Sequence, residues 1–319
     1  MKRAKITGKK KLEIINVAEP IPNDNQIKVK IAYCGVCGSD LEEFVNSGEF
    51  PTCFGHEISG VVTEVGKNIT KFKDGDKVAV HSYEALGFSE FTIESEERCV
   101  KLADNADLKE AALLEPLAVA LCGIRYCDFK IGDTDYVSGC GSIGLLAIQA
   151  LKSFGARKII AANRNEFRRN KAKEFGADYV FDPSNKSVEE IVAIVEKEVG
   201  DKVDFSMECA GVDPSMLACN KVLKPGKTLC ALGLSPEPMK LSAFQLFTRP
   251  GTWEPGVKIQ GMTPFDINMF EVGAMLMNEK KIEFSQIISK TFSLDDIEKA
   301  FNFSLDRNID KIKILIKLS

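Results

Sequence analysis

The stretch Asp135-Tyr136-Val137-Ser138-Gly139-Cys140-Gly141-Ser142-Ile143-Gly144 decides how the second half of this chain folds. Its first four residues have the character of a short buried strand, and apolar residues then recur at helical spacing as far as Phe154. Gly155 ends that helix, and residues 158–162 form a second apolar strand. Strand, G-x-G-x-x-G turn, helix and strand within about 30 residues predict the dinucleotide-binding βαβ unit.

The three glycines of this turn have different roles in such a unit. Gly139 makes the tight turn, Gly141 lets the backbone approach the pyrophosphate, and Gly144 lets the helix pack closely on the strand. The pyrophosphate would lie on unpaired N–H groups at the helix N-terminus, where Ser142 and Ile143 stand. A plain βα turn would explain the glycines alone, but the flanking strands and the helix favour a dinucleotide site.

The end of the second strand indicates which dinucleotide binds. A carboxylate is expected there, about 20 residues after the glycine loop, to bond the adenosine ribose 2′-hydroxyl. This chain has Asn163, followed by Arg164, with Arg168 and Arg169 one turn later. A carboxylate would repel a 2′-phosphate, whereas an amide beside guanidinium groups accepts one. NADP(H) is therefore favoured over NAD(H), chiefly because the acid is missing; a solvated helix start that merely carries arginines is the alternative.

Three later segments are expected to complete the parallel sheet, at 203–208, 228–232 and 257–260. Ligands lie beyond the carboxyl ends of such strands. The small-residue turn that begins at Cys209 and the strand end at Leu232 and Gly233 are therefore predicted to contact the cofactor. Residues 249–256, with the only tryptophan of the chain, are predicted to be a solvent loop, with a place in the substrate cleft or a subunit contact as the alternative.

Length and composition fit an ordinary two-domain globular protein. A chain of 319 residues with 45% hydrophobic and 28% charged residues can bury two cores. A net charge of −4 gives no electrostatic reason to expect nucleic acid or an anionic membrane as a partner. No stretch approaches the roughly 18 apolar residues of a membrane span or the apolar core of a signal peptide. The ten scattered cysteines are expected to be reduced thiols of a cytoplasmic protein.

The chain before residue 122 is rich in short strand signals separated by polar turns. Residues 26–31 alternate polar and apolar side chains, and residues 60–65 and 77–80 are two further strands. This pattern predicts an all-β, barrel-like domain over residues 1–122. The dinucleotide-binding domain would then occupy residues 123–262. Residues 263–319 are expected to return to the first domain, with helices near 266–278 and 294–304 and a last strand at 311–317.

Three motifs in the first domain carry residue types that can do chemistry. They are Cys34-Gly35-Val36-Cys37, Gly55-His56-Glu57, and Glu115 within the apolar run 111–121. Each has an ordinary explanation as a core thiol, a turn histidine or a helix-start acid. Cys-x-x-Cys also fits a redox pair or half of a structural zinc site, but a four-cysteine site needs a second such pair, which this chain lacks.

Together these residues match a catalytic metal site. One thiolate, one imidazole and one or two carboxylates fit the three-ligand zinc pattern that keeps a position open. Neighbouring side chains of an extended chain point to opposite faces, so His56 and Glu57 reach one metal only if the backbone turns, which Gly55 permits. Cys37 and His56 are taken as the firm ligands. The remaining position is open between Glu57 and Glu115, one binding directly and the other through water or a hydrogen bond.

The order of these motifs resembles the zinc-dependent medium-chain dehydrogenase/reductase (alcohol dehydrogenase) family, closest to its sorbitol/polyol and threonine dehydrogenase branch. The resemblance rests on residues 35–40 (GVCGSD), 55–57 (GHE), 115–120 (EPLAVA) and 139–144 (GCGSIG). It implies a GroES-like β-barrel catalytic domain and an α/β Rossmann domain. It also implies that Cys37, His56 and Glu57 are catalytic zinc ligands, that Glu115 lies at or near the metal, and that Ser39 begins a proton relay.

The chain departs from the family in one interval. The resemblance implies a lobe with four closely spaced cysteines that holds a structural zinc, between Val80 and Phe91. Only ten residues occupy that interval, so one catalytic zinc and no structural zinc are expected. His81, in this shortened loop, is predicted to lie at the surface. Three other cysteines are expected to fill apolar space: Cys34, Cys53 and Cys99.

The sequence thus predicts a zinc-dependent oxidoreductase that transfers a hydride between NADP(H) and a secondary alcohol or polyol, or the matching ketone or aldehyde. Two other classes stay open. A zinc-free quinone or enone reductase shares the fold but would not need Cys37, His56 and Glu115 together, and a non-catalytic nucleotide-binding protein would bind cofactor without turnover. A homodimer or homotetramer is implied by the resemblance alone. Residues 40–51 are expected near the substrate but name no particular molecule.

Overall fold

The computed structural model describes residues 1–46, 54–81, 87–234, 256–261 and 266–319. They form two compact units, the first made of Met1–Ala118 and Ile267–Ser319 and the second of Val119–Asp266. Cys53 and residues 249–255 of the predicted tryptophan loop lie outside the described residues.

The strands and helices of the described residues have the following bounds. The strands are β1 (Lys2–Gly8), β2 (Lys11–Asn16), β3 (Gln26–Gly35), β4 (Glu57–Val65), β5 (Lys77–His81), β6 (Phe91–Ser95), β7 (Cys99–Lys101), β8 (Thr134–Ser138), β9 (Lys158–Ala162), β10 (Tyr179–Phe181), β11 (Val203–Glu208), β12 (Leu223–Ala231), β13 (Lys258–Gly261), β14 (Ile288–Ser293) and β15 (Lys313–Lys317). The helices are α1 (Gly38–Val45), α2 (Leu108–Ala111), α3 (Leu114–Tyr126), α4 (Ser142–Ser153), α5 (Glu166–Glu174), α6 (Val188–Val199), α7 (Asp213–Val222), α8 (Ile267–Asn278) and α9 (Ile297–Leu305).

The first unit is built on a seven-stranded sheet. Its strand order is β14-β15-β3-β4-β5-β7, and β6 pairs with β3 outside that order; β1 and β2 form a separate antiparallel pair. Strand β3 places Ile27, Val29 and Ile31 in the core, as its alternating sequence predicts. On the same core, the rings of Phe88 and Phe301 pack edge to face with centroids 5.5 Å apart. The C-terminal strand β15 pairs antiparallel with β3, directly beside the segment that leads to Cys37.

The second unit is a parallel sheet with strand order β10-β9-β8-β11-β12-β13. Strand β8, helix α4 and strand β9 form the βαβ unit that the glycine pattern predicts, and α6 and β11 have the bounds expected from the sequence. All the strands of this sheet run in one direction, so their carboxyl ends meet at one edge. The predicted fold class, a Rossmann domain with a GroES-like β domain, is confirmed.

No helix in the described parts of the chain combines the length and the apolar character needed to cross a bilayer.

One buried carboxyl group in the parallel sheet was not foreseen. Asp135 in β8 is fully buried, and neither of its carboxylate oxygens has a hydrogen-bond partner among the described residues. Burial, with smaller contributions from the negative charges of Asp133 and Asp204, raises the pKa of Asp135 to about 8. The folded protein therefore keeps a proton on Asp135 at pH values where the unfolded chain has lost it.

Asp135 makes the stability of the protein depend on pH. Because its folded pKa lies above its unfolded value, the free energy of unfolding should fall as pH rises from about 4 to about 8, by at most about 1.4 kcal/mol per unit. In Asp135→Val this decrease should disappear, and the variant should exceed wild type by a margin that grows with pH. Urea unfolding at several pH values measures both.

A matched variant separates the titration from the burial of a polar group. Asp135→Asn cannot ionise but still buries an amide without partners, so its stability should lose the pH slope and stay below that of the valine variant. Parallel pH profiles for wild type and Asp135→Val would contradict this account of Asp135.

Candidate functional site

Cys37 lies between the end of strand β3 and the start of helix α1. The chain leaves β3 at Gly35, and Cys37 precedes the first residue of the helix. Its backbone N–H donates to Oδ2 of Asp40 in the first turn of α1, at 2.7 Å. The hydrogen bond orients the start of the helix and fixes the thiol at its N-terminal end, where a negative charge is favoured.

His56 and Glu57 follow a turn that the second oxygen of Asp40 holds. The backbone N–H of Gly55 donates to Oδ1 of Asp40 at 2.8 Å. Gly55 has φ +81°, and a Cβ there would come within 2.9 Å of the backbone nitrogen of Phe88, so only glycine fits. The turn allows His56 and Glu57 to serve the same site although they are adjacent in sequence.

The structure brings together three of the four predicted metal ligands. One ligand atom each from Cys37, His56 and Glu57 lies within 4.8 Å of the other two, and His56 and Glu57 are almost completely buried. Among the described residues no other group of three cysteine, histidine or acidic side chains meets this criterion, and Glu115 is not part of it. A thiol, an imidazole and a carboxylate at this separation form a donor set that suits zinc.

The surroundings of His56 favour its charged form when no metal is present. Burial opposes the charge, but a hydrogen bond to Cys37 and the negative charges of Asp40 and Glu115 outweigh it and raise the pKa of His56 well above its ordinary value. For Asp40, burial is the larger effect and raises its pKa to about 6, although the positive charge of His56 acts against it. The donor side chains therefore lie among buried charged groups with little access to water.

Lys313 was not recognised from the sequence and forms a buried ion pair in the site. Its ammonium group lies 2.5 and 2.8 Å from the two carboxylate oxygens of Glu57 and also donates to the Val36 carbonyl at 3.1 Å. Both side chains are nearly inaccessible to water. Burial lowers the pKa of Lys313, but the negative charges of Glu57 and Cys37 reverse the effect, so the lysine stays charged. At Gly35 a Cβ would overlap the Glu57 carboxylate, 1.9 Å from Oε2.

His81 is buried, and its predicted surface position is wrong. It is the last residue of β5, pairs with Glu57 across the sheet and is 8% exposed. Its Nδ1 lies 3.5 Å from Oε1 of Glu115, which is also buried, in the first turn of α3. Burial raises the pKa of Glu115, but the hydrogen bond from His81 and the charges of His56 and Lys313 lower it overall. The prediction failed because β5 extends one residue into the shortened interval.

Ser39 lies in the first turn of α1, two residues after Cys37, and is partly exposed. The predicted relay position therefore has contact with solvent. Cys34 and Cys99 are buried, as expected of apolar fillers.

In the second unit the glycine loop has the geometry that the sequence predicts. Gly139 has φ +103°, and a Cβ on Gly144 would lie 1.9 Å from the Gly139 carbonyl oxygen. Gly141 precedes α4, whose first two residues, Ser142 and Ile143, are partly exposed. Their N–H groups stand at a helix N-terminus, the position that binds phosphate.

The asparagine and the arginines that follow β9 differ in their hydrogen bonds and in their exposure. Oδ1 of Asn163 accepts the Asn165 N–H at 2.9 Å, and Arg169 donates to the carbonyls of Asn163 and Arg164 at 2.8 Å. Arg169 also pairs with Asp182 at 3.4 Å, so it serves the loop itself. Arg164 is exposed and the half-buried Arg168 follows the helix cap. Among these three arginines, Arg164 alone is exposed.

Comparisons with known proteins show the family to which the chain belongs. The alcohol dehydrogenase GroES-like domain model matches residues 23–108, and the zinc-binding dehydrogenase model matches residues 142–275. The (R,R)-butanediol dehydrogenase of Bacillus subtilis is 31% identical, with 99% of each chain covered. Sorbitol dehydrogenase of Ovis aries is 29% identical over 94% of this chain and 92% of its own.

A solved structure extends the comparison to the cofactor. A protein assigned as a zinc-binding dehydrogenase from Sinorhizobium meliloti, bound to NADP, has 26% identity and a TM-score of 0.84, covering 99% of this chain and 98% of its own. The parallel sheet and the cysteine-histidine-glutamate cluster define a dehydrogenase of the metal-binding, dinucleotide-dependent class. The chain belongs to the zinc-type medium-chain alcohol/polyol dehydrogenase family.

The buried ion pair has a measurable energetic consequence. Lys313→Met leaves the Glu57 carboxylate buried without its cation, so the free energy of unfolding should fall by about 3 kcal/mol. Lys313→Arg keeps the charge and should lose clearly less. Urea unfolding is measured with a chelator present, so that no metal ion compensates for the missing charge. Equal losses in the two variants would contradict a role for the charge of Lys313.

Proposed function

We propose that this protein is a zinc-dependent oxidoreductase that transfers a hydride between NADP(H) and a secondary alcohol or polyol, or the matching ketone or aldehyde. The observation that carries the proposal is the cluster of Cys37, His56 and Glu57, whose ligand atoms lie within 4.8 Å of one another. Similar proteins support the substrate class, since they include a butanediol dehydrogenase and sorbitol dehydrogenases.

The donors of this cluster suit one catalytic zinc ion. Three protein ligands of mixed type leave a coordination position open for substrate, whereas structural sites use four. The Cys37 thiolate and one carboxylate would neutralise the two positive charges of zinc. Glu57 lies in the donor cluster and the negative charge of Glu115 acts on His56, which supports Cys37 and His56 as firm ligands and Glu57 or Glu115 as the third.

When bound, zinc supplies Lewis acidity that polarises the substrate oxygen. The chain's own residues do the rest. Asp40 fixes the backbone on both sides of the donor cluster, and Lys313 holds the Glu57 carboxylate. Ser39, partly exposed in the first turn of α1, passes the hydroxyl proton of the alcohol to solvent. The glycine loop Gly139–Gly144 binds the cofactor pyrophosphate, and the nicotinamide carries the hydride.

The residues that follow strand β9 support the preference for NADP(H). No acid stands at Asn163, and the amide oxygen of that residue already accepts a backbone N–H. Arg164 and Arg168 then offer guanidinium groups for a 2′-phosphate. Asp182 is the nearby acid, but Arg169 partners it. The similar structure bound to NADP supports the same choice.

We also infer a cytoplasmic homodimer or homotetramer that acts on a small molecule. The cysteines described by the structure are free thiols, which suits a reducing compartment.

Metal analysis tests the zinc site. Wild-type protein purified without chelator should contain about one zinc per chain, because the interval between Val80 and Phe91 has no cysteines to hold a structural zinc. Cys37→Ser and His56→Ala should each remove most of the zinc and the alcohol-dependent reduction of NADP⁺. Cys99→Ala removes a buried thiol outside the site and should keep both. Full zinc in the first two variants would contradict the ligand assignment.

Cofactor binding tests the proposed role of Asn163 in the preference for NADP(H). Asn163→Asp places a carboxylate against the 2′-phosphate, so the preference for NADPH over NADH should fall by at least about tenfold. The dissociation constants are measured by fluorescence titration of the reduced cofactors. Arg157→Ala removes an exposed arginine from the same unit and should leave the ratio unchanged. Wild type that binds NADH more tightly than NADPH would contradict the preference.

A further inference from the structure

Two cysteines of the second unit, Cys127 and Cys230, lie beside each other although they are distant in sequence. Cys127 directly follows the last residue of α3, and Cys230 lies in strand β12. Both are free thiols, and both side chains are almost inaccessible to water. Neither belongs to the donor cluster or to the glycine loop, so the proposed function gives them no role.

Gly123 allows helix α3 to approach strand β12 at this point. A Cβ on Gly123 would lie 2.8 Å from the sulfur of Cys230, so no side chain separates the helix backbone from that thiol. The N–H of Cys127 donates to the Gly123 carbonyl at 3.1 Å, which places Cys127 one helical turn further along the same face. Because helical Cα–Cβ bonds tilt toward the N-terminus, the Cys127 side chain leans back toward Gly123 and therefore toward Cys230.

The strand next to β12 confirms that Cys127 lies at the level of Cys230. The sulfur of Cys127 is 3.8 Å from the carbonyl oxygen of Gln260 in β13. In the parallel pairing of β12 and β13, Gln260 is the partner of Cys230. The Cys127 thiol therefore lies over the strand pair at the position that Cys230 occupies.

The two thiols differ in their ease of ionisation. A hydrogen bond from Cys230 lowers the pKa of Cys127, although burial acts in the opposite direction. The same hydrogen bond, together with burial, raises the pKa of Cys230 well above its ordinary value. Since the thiolate is the nucleophile in thiol oxidation, Cys127 is the thiol that reacts first and Cys230 is the protonated partner.

Cys127 lies close to the surface of the unit, although its own side chain is covered. Its neighbours Tyr126 and Asp128 are exposed. Asp128 has φ +68°, the left-handed conformation that commonly ends a helix. Helix ends fray, so local opening of the last turn of α3 gives a small solute such as hydrogen peroxide access to the Cys127 sulfur.

We propose that Cys127 and Cys230 are a peroxide-sensitive thiol pair that forms an intramolecular disulfide between the end of α3 and strand β12. The Cys127 thiolate attacks one oxygen of hydrogen peroxide, the O–O bond breaks, and the products are a sulfenic acid on Cys127 and, with the proton of the original thiol, one water molecule. The Cys230 sulfur then attacks the sulfenic sulfur. The S–S bond forms, the S–O bond breaks, and the hydroxyl group leaves as a second water molecule with the Cys230 proton.

Peptide mapping of the full-length protein after peroxide treatment tests the pair. Reduced wild type is exposed to hydrogen peroxide, alkylated with N-ethylmaleimide in denaturant and digested. Mass spectrometry should find peptides joined through Cys127 and Cys230, from protein that migrates as a single chain on a non-reducing gel, and dithiothreitol should restore both thiols. Cys230→Ala should lose the disulfide and carry a sulfinic acid on Cys127 instead, because the second thiol is missing. Cys122→Ala removes a buried thiol from another face of α3 and should form the disulfide as wild type does.

The wild-type result decides the proposal, so the test does not depend on whether a variant folds. A disulfide from either cysteine to a third one, or a sulfinic acid on Cys127 of wild type in place of the disulfide, would overturn it. Thiols of Cys127 and Cys230 that stay reduced in the folded protein, at peroxide concentrations that oxidise them in the urea-unfolded chain, would show a purely structural pair and would also overturn it. The proposal is independent of the proposed function, which the metal content and cofactor binding of the same protein test separately.

Discussion

The carboxylate of Asp40 is the constraint on which the donor cluster depends. One oxygen accepts the N–H of Cys37 and the other accepts that of Gly55, so a single buried side chain joins two segments separated in sequence. Other backbone hydrogen bonds hold each segment separately, such as that from the Gly87 N–H to the Gly55 carbonyl, but the Asp40 side chain bonds to both. The burial that raises the pKa of Asp40 to about 6 is the energetic cost of that role. His56, with its opposite charge, offsets part of this cost.

Two further buried pairs of side chains lie around the cluster. Lys313 holds Glu57, and His81 faces Glu115 at 3.5 Å. Both pairs are almost dry, where charges interact more strongly than at the surface. The pairs come from strands β5 and β15, which lie on either side of the strand that carries Glu57 and its neighbour β3. The sheet register is therefore what assembles the electrostatic surroundings of the donors.

Local sequence patterns predict the helices and strands. The pairing of strands distant in sequence determines which side chains become buried, and local patterns do not show that. The βαβ unit was foreseen because its glycines, apolar strands and helix lie within one short segment, and the cysteine-histidine-glutamate donors because their residue types share one chemistry. The pattern of residues 311–317 predicts a strand, but it does not show that the Lys313 side chain is buried against Glu57, which is distant in sequence. His81 was placed at the surface because loop length says nothing about where β5 ends. Asp135 breaks the apolar pattern expected of a central strand, and this break in the sequence marks it as an unusual buried residue.

The most direct measurement for this account is X-ray absorption at the zinc edge of the wild-type protein as purified. The account predicts one sulfur ligand per zinc, at about 2.3 Å, with the remaining nitrogen and oxygen ligands at about 2.0–2.2 Å. That result would identify a site with a single thiolate and an imidazole, as Cys37 and His56 require. A shell of several sulfur atoms, or a shell with no sulfur, would contradict the central claim that these donors hold one catalytic metal.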